Sequence, residues 1–184
     1  MPRKPKPKKT EWICPFVILT DDREVTGGRP YTFKGMISDY REGKLPIIVD
    51  TYVERMKTGD YSIVSFQHLI TVERKAPEDL IKTLTRGRDN FYEELDRMKS
   101  FEQAVIVVEA DWKHVHELVG FISRANAKSI ARTVMAIQQD YRNVQWAFLP
   151  DRTWAERYTF QFLKRFYQRK VDNEKEIQSQ PTSV

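Results

Sequence analysis

The chain has little of what extracellular and membrane proteins are built from. Cys14 is its single cysteine, which excludes an intrachain disulfide and favours a reducing compartment. No run of about 18 apolar residues occurs, which excludes a transmembrane helix. The basic N-terminal segment is not followed by an apolar stretch, so we expect no secretory signal. These absences predict an intracellular protein, in the cytoplasm or in the nucleoid or nucleus, with no membrane partner.

Zinc ligands are also scarce. The three histidines are His68, His114 and His116, and neither Cys14 nor another ligand lies near the last two in sequence. A structural zinc site needs four ligands at short, regular spacings. The histidines are therefore interpreted as exposed side chains, and we expect no organic cofactor.

What the chain does have is a balanced, soluble composition with an uneven charge distribution. Of its 184 residues 40% are hydrophobic and 31% charged, and the net charge is +5. Residues 1–10 hold five of the basic residues and no acid, and the remainder holds 26 of each sign. We predict a disordered basic tail over 1–11, which either attracts phosphates or acts as a solubilising extension.

Periodicity predicts alternating strands and helices after this tail. Apolar runs predict strands at 15–20, 47–54, 104–109 and 144–149, a hairpin over 60–75, and helices near 34–41, 77–98 with a break at Gly87, 125–141 and 153–171. This pattern indicates an α/β domain over 12–172, with a central mixed sheet flanked by helices, and a disordered C-terminal tail over 173–184.

The last helix is rich in aromatic residues. Core packing accounts for the row Trp154, Tyr158, Phe162 and Phe166, whereas Phe160 and Tyr167 lie off it. For these last two, a dimer interface and stacking on a base remain open.

The predicted hairpin gathers charged residues. With its turn between Gln67 and His68, Asp60 faces Lys75 and Ser62 faces Glu73, so Asp60, Glu73 and Lys75 share one face. Arg74 lies on the opposite, apolar face and needs a buried partner or an exit to solvent.

Two carboxylates and a lysine on one face are typical of metal-dependent nucleases. Carboxylate oxygens suit a hard divalent cation, which polarises a phosphodiester and activates water. A plain surface hairpin with a Glu73–Lys75 ion pair is the alternative. Asp21 and Glu109, which end two further predicted strands, favour a site.

The motifs resemble a known family. Gly59-Asp60-Tyr61 followed by Val72-Glu73-Arg74-Lys75 and Asp79 resembles the GDx(n)ERKxxxD signature of XPF-type structure-specific endonucleases. Asp21-Asp22-Arg23-Glu24, Gly87-Arg88 and Val107-Val108-Glu109 are similar to further elements of that family, in the same order. The resemblance implies a restriction-endonuclease-like fold that cuts DNA near branches or junctions with Mg²⁺ or Mn²⁺.

The resemblance also implies roles for single residues. Asp21, Asp60 and Glu73 would be metal ligands, and Lys75 would position or activate the attacking water. Arg74 and Asp79 would be supporting catalytic residues that form an ion pair at the strand-to-helix junction. Candidate DNA contacts are Arg23 and Arg88, together with Lys128 and Arg132 from a basic stripe that begins at Arg124; Glu24 is a further supporting candidate.

One departure limits the transfer. Larger family members carry a tandem helix-hairpin-helix domain, and no GxG-type hairpin loop occurs in residues 150–184. We therefore expect the nuclease domain only, with DNA as partner and a homodimer left open. The expected function is a Mg²⁺-dependent DNA endonuclease of repair or recombination; the alternatives are a non-catalytic DNA-binding scaffold subunit and a junction-resolvase-like nuclease.

Overall fold

The computed structural model describes residues 10–123 and 126–179. Residues 1–9 of the tail predicted over 1–11, residues 180–184 of the tail predicted over 173–184, and Arg124 of the basic stripe lie outside these ranges. The described strands are β1 (Trp12–Ile13), β2 (Ile18–Asp21), β3 (Ile47–Ile48), β4 (Thr51–Glu54), β5 (Tyr61–Ile63), β6 (Ile70–Lys75), β7 (Gln103–Val108) and β8 (Val144–Phe148).

Six of these strands form a central mixed sheet in the order β4-β2-β5-β6-β7-β8, and β1 pairs with β3 in a separate two-stranded sheet. Only β5 runs antiparallel to its neighbours, so the other five strands point the same way. Their carboxyl ends therefore meet at one edge of the sheet, which also receives the start of β5.

The described helices are α1 (Asp22–Thr26), α2 (Pro77–Thr85), α3 (Arg88–Met98), α4 (Trp112–Ile122), α5 (Ala127–Asp140) and α6 (Arg152–Ser179). Of these, α2 to α5 cover one face of the sheet and α6 covers the other, whereas the short α1 buries no residue. Within the described ranges, none of the helices combines the length and the apolar character needed to cross a membrane. The predicted α/β class, a mixed sheet flanked by helices, is confirmed.

Side-chain alternation along the central strands produces two separate cores. In β7, Val105 and Val107 pack with α6, whereas Ala104, Ile106 and Val108 pack with α2 to α5. Successive strand residues point to opposite faces, so this continuous apolar run is buried on both sides. The sheet therefore holds charged residues only towards the ends of its strands.

Several predicted elements differ from the structure. The helix expected near 34–41 is only a 3₁₀ turn at Tyr40–Glu42, in a loop that contains Gly35 and Gly43 at positive φ. The strand expected over 47–54 is two strands, β3 and β4, because they pair in different sheets. Helix α4 was not predicted, and α6 continues through 173–179, where a disordered tail was expected.

The hairpin register is shifted relative to the prediction. Tyr61 pairs with Val72, whereas the predicted register pairs it with Arg74, so the turn is centred between Phe66 and Gln67. Phe66 fixes this turn by packing edge-on against Phe166 of α6. The shift amounts to two residues across the pair, so every side chain keeps its predicted face.

The aromatic row of α6 was also misassigned. Phe160, expected to lie off the core, is completely buried and packs against Trp12 and Phe16. Trp154, expected in the core, is 53% exposed.

Candidate active site

The predicted site residues converge on the sheet edge where the parallel strands end. Asp21 ends β2, Lys75 ends β6, Glu109 follows β7, and Asp60 immediately precedes β5. The backbone of Asp60 is tied to both neighbouring strands, because its N–H donates to Val72 O and its C=O accepts from Asp21 N, each at 2.8 Å. The topology thus brings together residues that are far apart in sequence.

Gly59 sets the direction of Asp60. Its φ is +79°, and a Cβ at this position would lie 1.9 Å from Thr71 Oγ1. Both the left-handed conformation and the close contact require glycine. The Asp60 carboxylate accepts a hydrogen bond from Arg74 N at 2.7 Å.

Glu73, Lys75 and Glu94 form a buried charged cluster on the face that α3 covers. The Lys75 ammonium donates to Glu73 and lies 3.5 Å from Glu94 Oε2, over the ring of Phe91. The side chain of Lys75 is only 14% exposed. Glu94 was not among the predicted residues, although its helix directly follows the Gly87-Arg88 motif.

Two carboxyls of the site, Asp60 and Glu73, have raised pKa values. Burial, reinforced by the charge of Glu24, raises the pKa of Asp60 to about 7. Burial and the nearby Asp60 likewise raise the pKa of Glu73 well above its usual range. Two buried carboxyls that repel each other form an environment in which an added cation is strongly favoured.

Lys75 shows the opposite behaviour. Burial by itself lowers the pKa of its ammonium, but Glu73, Glu94 and Asp60 outweigh burial and raise it above the usual value. Lys75 is therefore a permanent cation at neutral pH. It is suited to orienting water or a phosphate oxygen and not to acting as a general base.

Asp21 is engaged with another partner. One of its oxygens accepts Arg23 N and Nε at 2.9 and 2.6 Å, and the other accepts Met56 N at 2.6 Å. Burial raises the pKa of Asp21, but these hydrogen bonds outweigh it and lower the pKa below its usual value. Asp21 thus caps α1 and holds Arg23, which is also within electrostatic reach of Asp60 and Glu73.

Arg74 occupies the opposite face of β6 and has buried partners there. It donates to both oxygens of Glu109 at 2.7 and 2.9 Å, and to Glu24 at 3.0 Å. Arg152 of α6 also donates to Glu109, at 2.9 Å. This cluster joins the ends of β6 and β7 to α1 and α6.

The expected ion pair between Arg74 and Asp79 is wrong. Asp79 lies at the start of α2 with its side chain 64% exposed, and it accepts from Lys82 at 3.2 Å. Arg74 points to the opposite face of the sheet by strand alternation, so α2 does not present a carboxylate to it. Glu24 and Glu109 take the place that Asp79 was expected to fill.

The predicted DNA contacts other than Arg23 lie on α3 and α5. Arg88 donates to Thr133 and so joins α3 to α5. Lys128 and Arg132 are exposed on α5. Exposed cations without acidic partners in the described part of the chain are available to a phosphate backbone.

The oxygen donors available to a divalent cation at this edge are carboxylates. Among residues 10–123 and 126–179, no group of three or more His, Cys, Asp or Glu side chains is gathered closely enough to hold a metal. Asp60 and Glu73, which lie within electrostatic reach of each other, are hard oxygen donors with excess negative charge when ionised. Their chemistry fits Mg²⁺ or Mn²⁺, whereas the oxygens of Asp21 accept hydrogen bonds from Arg23 and Met56.

Comparison with solved structures defines the class of fold. XPF from Aeropyrum pernix in complex with DNA aligns with a TM-score of 0.57 and 23% identity, over 84% of this chain and 66% of that chain. A second structure of XPF from Aeropyrum pernix aligns with a TM-score of 0.57 and 23% identity, over 88% of this chain and 69% of that chain. The chain therefore has the fold of XPF from Aeropyrum pernix, in agreement with the XPF-type fold that the motifs predicted.

Sequence comparison then gives the family. The ERCC4 domain model matches residues 20–166, a span that includes every charged side chain of this edge. The chain belongs to the ERCC4 domain family. A search of curated proteins found no match.

Proposed function

We propose that this protein is a divalent-metal-dependent DNA endonuclease that hydrolyses phosphodiester bonds at branched or single-strand/double-strand junctions, in DNA repair or recombination. The observation that carries the proposal is the buried group of Asp60, Glu73 and Lys75 at the strand ends of a nuclease fold. Membership of the ERCC4 domain family and the similarity to XPF from Aeropyrum pernix in complex with DNA support it.

Asp60 and Glu73 are the proposed metal ligands. A bound Mg²⁺ or Mn²⁺ supplies polarisation of the phosphodiester and a lowered pKa for its water. The raised pKa values of the two carboxyls mean that cation binding competes with protonation, so occupancy rises with pH. Asp21 remains a predicted ligand, and serving as one requires it to release a hydrogen bond from Arg23.

Lys75 is the proposed catalytic cation. Glu73 and Glu94 hold its ammonium inside the site, where it can orient the attacking water or stabilise negative charge that develops on the phosphate. Arg74 acts indirectly, because its amide fixes Asp60 while its side chain ties β6 to β7. Asp79 remains a predicted supporting residue at the junction with α2.

DNA binding is assigned to the basic side chains. Arg23 is the proposed phosphate contact beside the carboxylates, and Arg88, Lys128 and Arg132 are proposed contacts further along the backbone. Such contacts position the duplex without reading its sequence and weaken with added salt.

The test compares cleavage by the wild type, Asp60→Ala and Lys75→Ala on labelled flap, fork, four-way junction, duplex and RNA substrates, with and without Mg²⁺. We expect metal-dependent cleavage of branched DNA by the wild type only. Lys113→Ala, in an exposed ion pair on α4, serves as a folded control. Equal cleavage by the wild type and both site variants would remove the assignment, and a preference for four-way junctions would favour the resolvase-like alternative.

A second candidate is a non-catalytic DNA-binding subunit of the same fold. The capture of both Asp21 oxygens by Arg23 and Met56, and the lack of a three-ligand group in the described residues, favour it. DNA binding without cleavage in either Mg²⁺ or Mn²⁺ would establish this candidate.

A further inference from the structure

An exposed aromatic side chain lies on the first turn of α6. Trp154 is 53% exposed, and the guanidinium carbon of Arg157 lies 5.8 Å from the centroid of its ring. Within the described part of the chain, no carboxylate pairs with Arg157. An exposed tryptophan beside a free cation offers both a π surface and a positive charge.

The surroundings of this pair are basic. Arg29 and Lys34 are exposed on the loop that α6 holds in place, where Arg152 donates to Arg29 O at 2.7 Å and Glu156 accepts from Thr32 N at 2.7 Å. The nearby acids are already engaged. Glu156 accepts from two backbone amides of the loop, and Asp151 accepts from Trp154 N at 2.9 Å.

A cleft continues from Arg157. It has a volume of about 270 Å³ and lies between α6 and the loop that precedes β3. Its lining combines backbone, a flexible amide, a guanidinium and apolar side chains: Gly35, Met36, Ile37, Ile47, Arg157 and Gln161. A lining that combines polar and apolar groups suits a flat ring that carries hydrogen-bonding edges.

Continuous contacts connect this surface to the proposed active site. Arg152, two residues before Trp154, donates to Glu109, which accepts from the Arg74 side chain. The amide of Arg74 donates to Asp60. The start of α6 is therefore fixed against the sheet edge that carries the carboxylates.

We propose that Trp154, Arg157 and this cleft bind unpaired nucleotides of the DNA substrate beside the cleavage site. We name this group the stacking surface. Every base has a π face, so stacking on tryptophan tolerates any sequence, whereas bases inside a duplex are already stacked and cannot reach the ring. Arg29, Lys34 and Arg157 complement the phosphates of the same strand.

The inference deepens the proposed function by naming the part of the junction that is recognised. Its test uses binding in EDTA, which does not depend on cleavage. Fluorescence anisotropy measures the affinity of the full chain for labelled oligo-dT and for blunt duplex of equal length. The variants are Trp154→Ala, Trp154→Phe and Arg157→Ala, and Phe121→Ala is the control, since Phe121 is 88% exposed on the opposite face of the sheet.

We expect Trp154→Ala to weaken oligo-dT binding about tenfold, as for the loss of one stacked base, and duplex binding less than twofold. Trp154→Phe should retain part of the oligo-dT affinity, because it keeps an aromatic ring. Arg157→Ala should reduce the salt dependence of oligo-dT binding, because it removes a phosphate contact. The control Phe121→Ala should bind as the wild type does.

Unchanged oligo-dT affinity in Trp154→Ala, or an equal loss on duplex, would overturn the inference. So would sedimentation showing that Trp154→Ala only dissociates a dimer, because the surface would then join two copies of the chain. Thermal unfolding confirms that each variant is folded. Absence of Mg²⁺-dependent cleavage by the wild type would remove the proposed function and leave the binding result standing.

Discussion

Glu94 illustrates how a single residue enters a site from a distant element. It sits beside the apolar stripe Phe91, Leu95 and Met98 of α3, one residue before Leu95, so it lies at the border of the buried face. From there its carboxylate reaches the ammonium of Lys75 and the carboxyl of Glu73. Helical periodicity identified the apolar stripe but not the contact of Glu94 with Lys75, because that contact depends on how α3 packs on β6.

We predict that Glu94→Gln lowers cleavage about tenfold or more while leaving DNA affinity in EDTA unchanged. The amide keeps the shape of the side chain but removes one of the charges that hold Lys75 in place. Glu93→Gln is the matched control, since Glu93 is the exposed neighbour on the same helix. Single-turnover cleavage across Mg²⁺ concentrations distinguishes the two, and equal rates would show that Glu94 has no positioning role.

Gly59 gives a second prediction for a single residue. Gly59→Ala should destabilise the fold by about 3 kcal/mol or more, because a positive φ is combined with a clash against Thr71 Oγ1. Gly28→Ala is the control, since Gly28 has a similar φ of +80° with open space around its Cβ position. Urea unfolding of both variants isolates the clash, and equal midpoints would contradict it.

At the level of elements, the sequence predicted which face of a strand each side chain occupies more accurately than it predicted which residues pair across the hairpin. The sequence predicted that Asp60, Glu73 and Lys75 share a face and that Arg74 does not, and the structure confirms both. The predicted partners across the hairpin were wrong because Phe66 anchors the turn on α6, a long-range contact that alternation does not reveal. The site could thus be predicted as a set of residues but not as a set of pairs.

The prediction that the aromatic row of α6 is buried was wrong at Trp154 for a geometric reason. A spacing of four residues advances about 40° beyond a full turn, so three such steps from Trp154 to Phe166 rotate by about 120°. Phe166 is buried against the sheet, and Trp154 has consequently rotated out of the core. Phe160 lies nearer the centre of the buried face.

The ion-pair cluster around Arg74 predicts a stability effect that spans four elements. Glu109→Gln should lower the free energy of unfolding by about 3 kcal/mol, because Arg74 and Arg152 lose a buried anion at the junction of β6, β7 and α6. Glu117→Gln, in an exposed pair with Lys113, should leave the unfolding midpoint unchanged. Chemical denaturation measures both, and a wild-type midpoint for Glu109→Gln would show that the cluster is not stabilising.

At the level of the whole molecule, the raised carboxyl pKa values predict a pH dependence. Asp60 has a usual pKa of 3.8 and a folded pKa of about 7, so the folded state binds more protons in that window. Stability without metal should therefore fall as pH rises from about 4 to 7, by up to about 1.4 kcal/mol per pH unit for one such group. Glu73 acts in the same direction.

Thermal unfolding in EDTA between pH 5 and 8 measures this dependence. Asp60→Asn should flatten the profile and raise stability above pH 7, and Mg²⁺ should stabilise the wild type more than the variant. A profile that rises with pH would contradict the proton uptake assigned to these carboxyls.

The fold as a whole was predictable because short motifs mark its strand ends in order. Asp21, Asp60, Glu73 and Glu109 interrupt or follow apolar runs, and a mainly parallel sheet places such ends at one edge. The loop over 34–41, the division of 47–54 and helix α4 were not predictable, because they depend on which sheet or core each segment joins.

Arg74 joins the two sides of the sheet through separate chemical groups. Its amide serves the carboxylate of Asp60 on one side, whereas its guanidinium serves Glu109 and Glu24 on the other. A substitution of Arg74 therefore changes the contacts to Glu109 and Glu24. The amide hydrogen bond to Asp60 is kept by every amino acid except proline. A substitution at position 74 can therefore change how strongly β6 is held to its neighbours and still leave the hydrogen bond to the Asp60 carboxylate in place.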